Sequence, residues 1–110
     1  MSWYVYLARC TDGSLYCGVA RDVAERFAQH DAGKGAKYTR GRGPLVPVAV
    51  RRCRTKGFAL SLEHAVKQLP RDHKLALADA WRFAALARRV AGRARIRALS
   101  VAQRNGRKRS

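Results

Sequence analysis

Two short runs of aromatic and β-branched residues, Trp3-Tyr4-Val5-Tyr6-Leu7-Ala8-Arg9-Cys10 and Leu15-Tyr16-Cys17-Gly18-Val19, flank Thr11-Asp12-Gly13-Ser14. Such residues favour strands, and Asp-Gly tolerates the positive φ angles that a tight reversal demands, so the chain is expected to open with an antiparallel hairpin. A two-stranded ribbon is at best marginally stable alone, so whatever follows must extend or cover it. Tyr6 and Tyr16 can approach across the pair, and they share a face if the turn register keeps both on one side.

The remaining pattern supplies those covering elements. Asp22 is placed as a helix N-cap with Glu25 three residues on, and Val23, Phe27 and Ala28 form an apolar stripe in a helix that runs to about Asp31 and ends at Gly33. From Gly33 to Gly43 follows a basic loop without an acidic residue. Leu45 to Arg52 is Val-rich and predicts a third strand, with Pro47 arguing for an edge position. Helical spacing resumes from about Phe58 with Ala59, Leu62, Ala65, Val66 and Leu69, and is interrupted by Pro70. A further helix is expected from about Asp72 to Ala91, with Gly92 as its stop. The expected class is therefore α+β: a small, mostly antiparallel three-stranded sheet flanked by helices. One domain spans residues 1–91, and a partly disordered basic tail spans 92–110.

Charge narrows the functional classes. The 110 residues carry 24 Lys+Arg against 7 Asp+Glu, a formal net charge of +17. Residues 51–110 hold 17 of the basic side chains and only 3 of the acidic ones, so the excess is mostly C-terminal. A chain this cationic points to a polyanionic partner, nucleic acid first. No stretch reaches the ~20 apolar residues of a membrane span, and the N-terminus does not have the pattern of a secretory signal, so a cytosolic protein with no membrane partner is expected. Cys10, Cys17 and Cys53 show neither C-x-x-C nor zinc-finger spacing and are expected to be reduced packing residues.

Arg26 and His30 stand four apart on the first helix and project as neighbours. An exposed face there can present a guanidinium fork to phosphate oxygens and an imidazole that exchanges a proton near neutral pH. Taken alone, the pair reads first as an ordinary couple of solvated polar residues, because i, i+4 polar pairs are common on helix surfaces. Tyr6 and Tyr16 are equally two sheet aromatics packed on a helix, and Glu63 is equally an exposed i, i+4 partner of Lys67, worth only about 0.3–0.5 kcal/mol.

The order of the parts changes that balance. Tyr4-Val5-Tyr6, then Tyr16-Cys17-Gly18, then Arg26 and His30, then Glu63 on the next helix resembles a GIY-YIG nuclease domain over roughly residues 2–80. It is most similar to small stand-alone bacterial members, which share the Asp-Gly-Ser turn and the Gly-Lys-Gly-Ala-Lys-Tyr-Thr loop. The resemblance implies a GIY-YIG endonuclease-like fold and catalytic roles for Tyr6, Tyr16, Arg26, His30 and Glu63, with Glu63 as the metal-binding acid. Two positions depart from the family pattern: Tyr4 replaces the first glycine and Cys17 the middle residue of the second tripeptide. A counterpart of the late asparagine of some members is absent.

Hydrolysis of a phosphodiester needs an activated water and neutralisation of charge on the phosphorane. One carboxylate suits one hard cation, so a single Mg²⁺ or Mn²⁺ at Glu63 is expected, with Arg26 on the phosphate. Tyr6 is a candidate general base, although a phenol three units from neutrality costs about 4 kcal/mol to ionise unless a cation lowers it. His30 competes for that role, and Tyr16 is expected to orient water or phosphate. In the loop, Lys34, Lys37, Arg40 and Arg42 are expected to contact backbone phosphates and Tyr38 to stack on a base or line the site. The expected function is metal-dependent cleavage of nucleic acid, DNA ahead of RNA, on branched, damaged or flapped forms, by a monomer in preference to an oligomer. The alternative is a basic nucleic-acid-binding or ribosome-associated protein that keeps the fold and does not cut.

Overall fold

A computed structural model describes residues 2–33 and 44–108, with side chains described among them except at 94 and 97–108. Strands β1 (Trp3–Arg9) and β2 (Leu15–Ala20) form the expected hairpin. Its connection is closed by Cys10 N–H donating to the Ser14 carbonyl at 2.8 Å, by Gly13 at φ +84°, and by the Asp12 carboxylate accepting from Ser14 N–H at 3.0 Å. Helix α1 (Val23–Asp31) is capped by the Asp22 side chain, which accepts from Glu25 N–H, and Gly33 at φ +77° lets the chain leave it. Asp31 Oδ1 accepts from Leu45 N–H at 2.9 Å and so ties the end of α1 to the start of β3 (Val46–Cys53).

The sheet order is β2-β1-β3, all antiparallel. β3 is thus an edge strand, as Pro47 required. Its pairing passes from Leu7 opposite Ala49 to Ala8 opposite Pro47, which leaves Val48 as an extra residue in a bulge. The central strand is buried on both faces. Val5 and Leu7 join Cys17, Cys53 and the apolar stripes of α2 (Lys56–Lys67) and a fourth helix in the larger core. Tyr6 and Ala8 point the other way into a smaller cluster with Cys10, Ala20, Leu45, Val23 and Phe27. All three cysteines are buried and free, in keeping with a packing role.

The C-terminal half corrects two expectations. In place of one helix from Asp72 to Ala91 there are two: α3 (Arg71–Ala76), entered through Pro70, and α4 (Ala80–Lys108). Asp79 is the reason, because its carboxylate accepts from Trp81 N–H at 2.9 Å and starts a new helix. Gly92 is not a stop. Glycine costs only about 1 kcal/mol in a helix interior, and the Ala- and Arg-rich surroundings carry the helix through it. The helix continues through the basic stretch as far as Lys108. Phe83, Leu86, Ala87 and Val90 anchor α4 in the larger core. Among the described residues no helix is long and apolar enough to cross a membrane.

Candidate active site

Alternation along the hairpin puts Tyr6 and Tyr16 on one face. Tyr6 is opposite Gly18 and Ala8 is opposite Tyr16, so the two tyrosines are diagonal neighbours with ring centroids 6.2 Å apart. α1 lies across this face. Phe27 meets Tyr6 edge-on at 5.2 Å, and His30, one turn on, brings Nε2 to 3.1 Å from the Tyr6 hydroxyl. The His30 ring is also 5.3 Å from that of Tyr16. Gly18 makes this packing possible, because a Cβ there would lie 2.6 Å from Tyr6 Cζ and closer still to the hydroxyl.

One expectation about α1 is corrected. His30 is not on an exposed face but only 2% exposed. Val23, Phe27 and His30 recur at i, i+4, i+7, and that stripe faces the sheet. Arg26, one turn before His30, stays half-buried at the flank.

The electrostatics follow from this burial. The Tyr6 hydroxyl is pushed well above the ordinary phenol range, first by burial and then by Tyr16, Cys17 and Glu63; Arg26 opposes the shift but does not outweigh it. Tyr16 is also raised by burial, with Glu63 adding to the shift and Lys67 and Arg26 opposing it. His30 is lowered by burial and by Arg26, against the pull of Asp31. Burial, helped by Glu63, pushes the Cys17 thiol up to about 12. The Tyr6–His30 couple is therefore a neutral phenol against a neutral imidazole.

This has a consequence for stability. With a folded-state pKa below the ordinary 6.5, His30 binds a proton more readily in the unfolded chain, so its contribution is present above 6.5 and lost as pH falls. Tyr6 does the reverse, contributing below pH 10.0 and losing that contribution as pH rises further. Chemical denaturation across pH 4–11 is expected to show both falls, with His30→Phe flattening the acidic one; an unaltered acidic limb in that variant rejects the His30 assignment.

Glu63 projects from α2, partly exposed, with Lys67 Nζ 3.6 Å from its Oε2. The Lys67 side chain is 53% exposed and free to turn away. Among the described residues no three His, Cys, Asp or Glu side chains gather as a ligand set. A lone carboxylate does not suit zinc, which takes three or four protein ligands, but it suits a hard cation that keeps most of its waters. Glu63 fits Mg²⁺ or Mn²⁺ in that sense. Its negative charge adds to the upward shifts of both tyrosines and of Cys17.

Of the five side chains singled out in the sequence, Tyr6, Tyr16 and His30 fall together, with Tyr6 and His30 buried and Tyr16 half-exposed; Arg26 stands one turn before His30 on α1, and Glu63 stands on α2. Lys34, Lys37, Tyr38, Arg40 and Arg42 lie outside the described residues. Sequence reasoning did not bring Phe27 or Lys74 to this region. Phe27 was visible as part of an apolar stripe. Lys74, which with Lys67 and Tyr16 lines a cavity beside β2, had no sequence signal because its position depends on the turn at Pro70.

A family model described as the GIY-YIG catalytic domain matches residues 2–76. The chain is 46% identical over 74 residues to a UPF0213 protein of Nitratidesulfovibrio vulgaris, an alignment covering 67% of each. It is 44% identical over 104 residues to a UPF0213 protein of Vibrio cholerae, covering 90% of this chain and 87% of the relative. Among solved structures, a UPF0213 protein from Bacillus halodurans determined by solution NMR is 46% identical, with a TM-score of 0.47, over 73% of this chain and 85% of that one.

Proposed function

The chain belongs to the GIY-YIG catalytic domain family, and on that premise we propose that it is a divalent-metal-dependent endonuclease that hydrolyses phosphodiester bonds, acting on DNA in preference to RNA as a monomer. The observation that carries this reading is the hydrogen-bonded Tyr6–His30 couple packed against Tyr16.

Glu63 would hold the cation, which when bound supplies charge stabilisation at the phosphate and acidifies a coordinated water. The protein's part is proton handling and positioning. A Tyr6 phenolate is not populated near neutrality, because burial holds the proton on. The hydroxyl need not ionise first: a proton from the attacking water reaches it by way of the half-exposed Tyr16 hydroxyl while it donates its own to His30 Nε2. The imidazolium so formed returns the proton along the same path to the leaving oxygen as the P–O bond breaks. This joins the two candidate bases into one device. His30 is suited to the end position because it is held neutral at rest. Substrate water enters past Tyr16, the half-exposed phenol of the pair, which orients it. Arg26 offers paired N–H donors to non-bridging oxygens, where charge grows in the transition state. One such site per chain cuts one strand per encounter.

A second reading, nucleic-acid binding without cleavage, is favoured by the upward shift of both phenols, since neither is activated at rest. Incubation with duplex, flap, junction and single-stranded DNA, and with RNA counterparts, separates the two. Products are expected with Mg²⁺ or Mn²⁺ and none in EDTA, with gel-shift binding in both conditions. Binding without product for every substrate and both metals rejects the nuclease reading.

A further inference from the structure

On the side of Tyr16 away from Arg26, the break between α2 and α3 builds a second feature. α2 ends at Lys67, Pro70 turns the chain, and α3 brings Lys74 back toward β2. The two lysines, with Leu7, Leu15, Tyr16 and Cys17, line a cavity of about 350 Å³. Lys74 is half-buried while its neighbours in sequence, His73 and Leu75, are exposed, so its stem is held against the cavity and not spread in solvent. It makes no ion pair among the described residues. Lys67 is shared, because Glu63 lies 3.6 Å from it at the rim.

The lining combines two ammonium groups, one phenol and an aliphatic wall. That combination suits an anion with an apolar body better than a bare ion, which would leave the leucines unused, or a hydrocarbon, which would cover the Lys74 ammonium without a counter-charge. A nucleotide has both parts. The cavity also adjoins the cleavage site, since Tyr16 lines it and stands 5.3 Å from His30 by ring centroids.

The geometry points to a nucleotide-binding subsite in which Lys74 and Lys67 hold a phosphate next to the scissile one while Leu15 and the Tyr16 ring take the attached sugar and base. It rests on the nuclease reading for the position of the scissile phosphate. That both cations also act on the Cys17 thiol, and Lys67 on the Tyr16 phenol, agrees with their facing the same space.

The test is a titration of the full chain in EDTA at physiological salt, followed by amide NMR, with a 5′-phosphorylated thymidine dinucleotide and with its unphosphorylated counterpart. Saturable shifts are expected at Tyr16, Cys17 and Lys74. Lys74→Ala is expected to weaken binding about tenfold, the order of one charge-assisted contact, and Lys74→Arg to retain it. Arg88→Ala, an equal loss of charge on the exposed side of α4, is expected to leave it unchanged. Equal binding of the two dinucleotides identifies an internal phosphodiester as the ligand, and a preference for the phosphorylated one a terminal phosphate; each supports the subsite. Shifts confined to other segments, or equal losses in Lys74→Ala and Arg88→Ala, overturn it. Because no turnover is involved, the two proposals fail separately: Lys74-dependent binding without cleavage anywhere rejects the nuclease alone, and cleavage without Lys74-dependent binding rejects the subsite alone.

Discussion

Replacing Glu63 by glutamine is expected to lower cleavage by about 10²–10³-fold or more while leaving the fold and the affinity for nucleic acid in place. The substitution keeps shape and removes the one negative charge the cluster has toward solvent. Its structural cost is small, because the pair with Lys67 is largely exposed and such pairs contribute about 0.3–0.5 kcal/mol. Binding is expected to stay level or tighten slightly, since a carboxylate near a phosphate repels it. Single-turnover cleavage and fluorescence anisotropy on one substrate give both quantities. Unchanged cleavage would remove Glu63 from the metal site and with it the proposed chemistry, whereas joint loss of binding and cleavage would show that the residue is structural.

The second large effect is expected at Gly18, which touches no substrate. A methyl group there meets the Tyr6 ring and hydroxyl, and the ring has nowhere to go, being wholly buried between the sheet, Phe27 and His30. Overpacking costs about 1–3 kcal/mol, and forcing the hydroxyl off His30 breaks a buried hydrogen bond for about 1–3 kcal/mol more. For a domain of this size the sum lowers Tm by roughly 10–20 °C or more. Gly18→Ala should also lose cleavage well below its melting point, because the couple is displaced. Adding Tyr6→Phe removes the atom in closest conflict and is expected to restore part of the stability with none of the activity. A Gly18→Ala protein that melts like the parent would mean that Tyr6 does not lie over this glycine.

Much of this arrangement was legible in the sequence because it depends on local rules. The hairpin follows from alternating aromatics around Asp12-Gly13, the first helix from Asp22, and the edge position of β3 from Pro47. Tyr6 and Tyr16 share a face through strand periodicity once the turn register is known. Where the reading went astray, the deciding contact was tertiary or lay one hydrogen bond deep. His30 has a polar side chain, and the hydrogen bond waiting at Tyr6 helps make its inward position favourable. Asp79 starts a helix through a single bond from Trp81 N–H, which the apolar spacing does not encode. Gly92 carries a stop signal too weak to overcome good helix formers on both sides. The convergence of Lys67, Lys74 and Tyr16 joins two helices and a strand through one proline turn, which no periodicity encodes.

The bulge at Val48 bears on how copies of this protein tolerate one another. A polyanion draws many cationic chains to high local density, where exposed strand edges could zip together into extended sheets. On β3 the outer rim is interrupted by Pro47, which has no N–H to offer, and by the extra residue beside it, while Arg51 and Arg52 repel the same strand of a neighbour. The outer edge of β3 is therefore a poor template for strand pairing between copies of the chain.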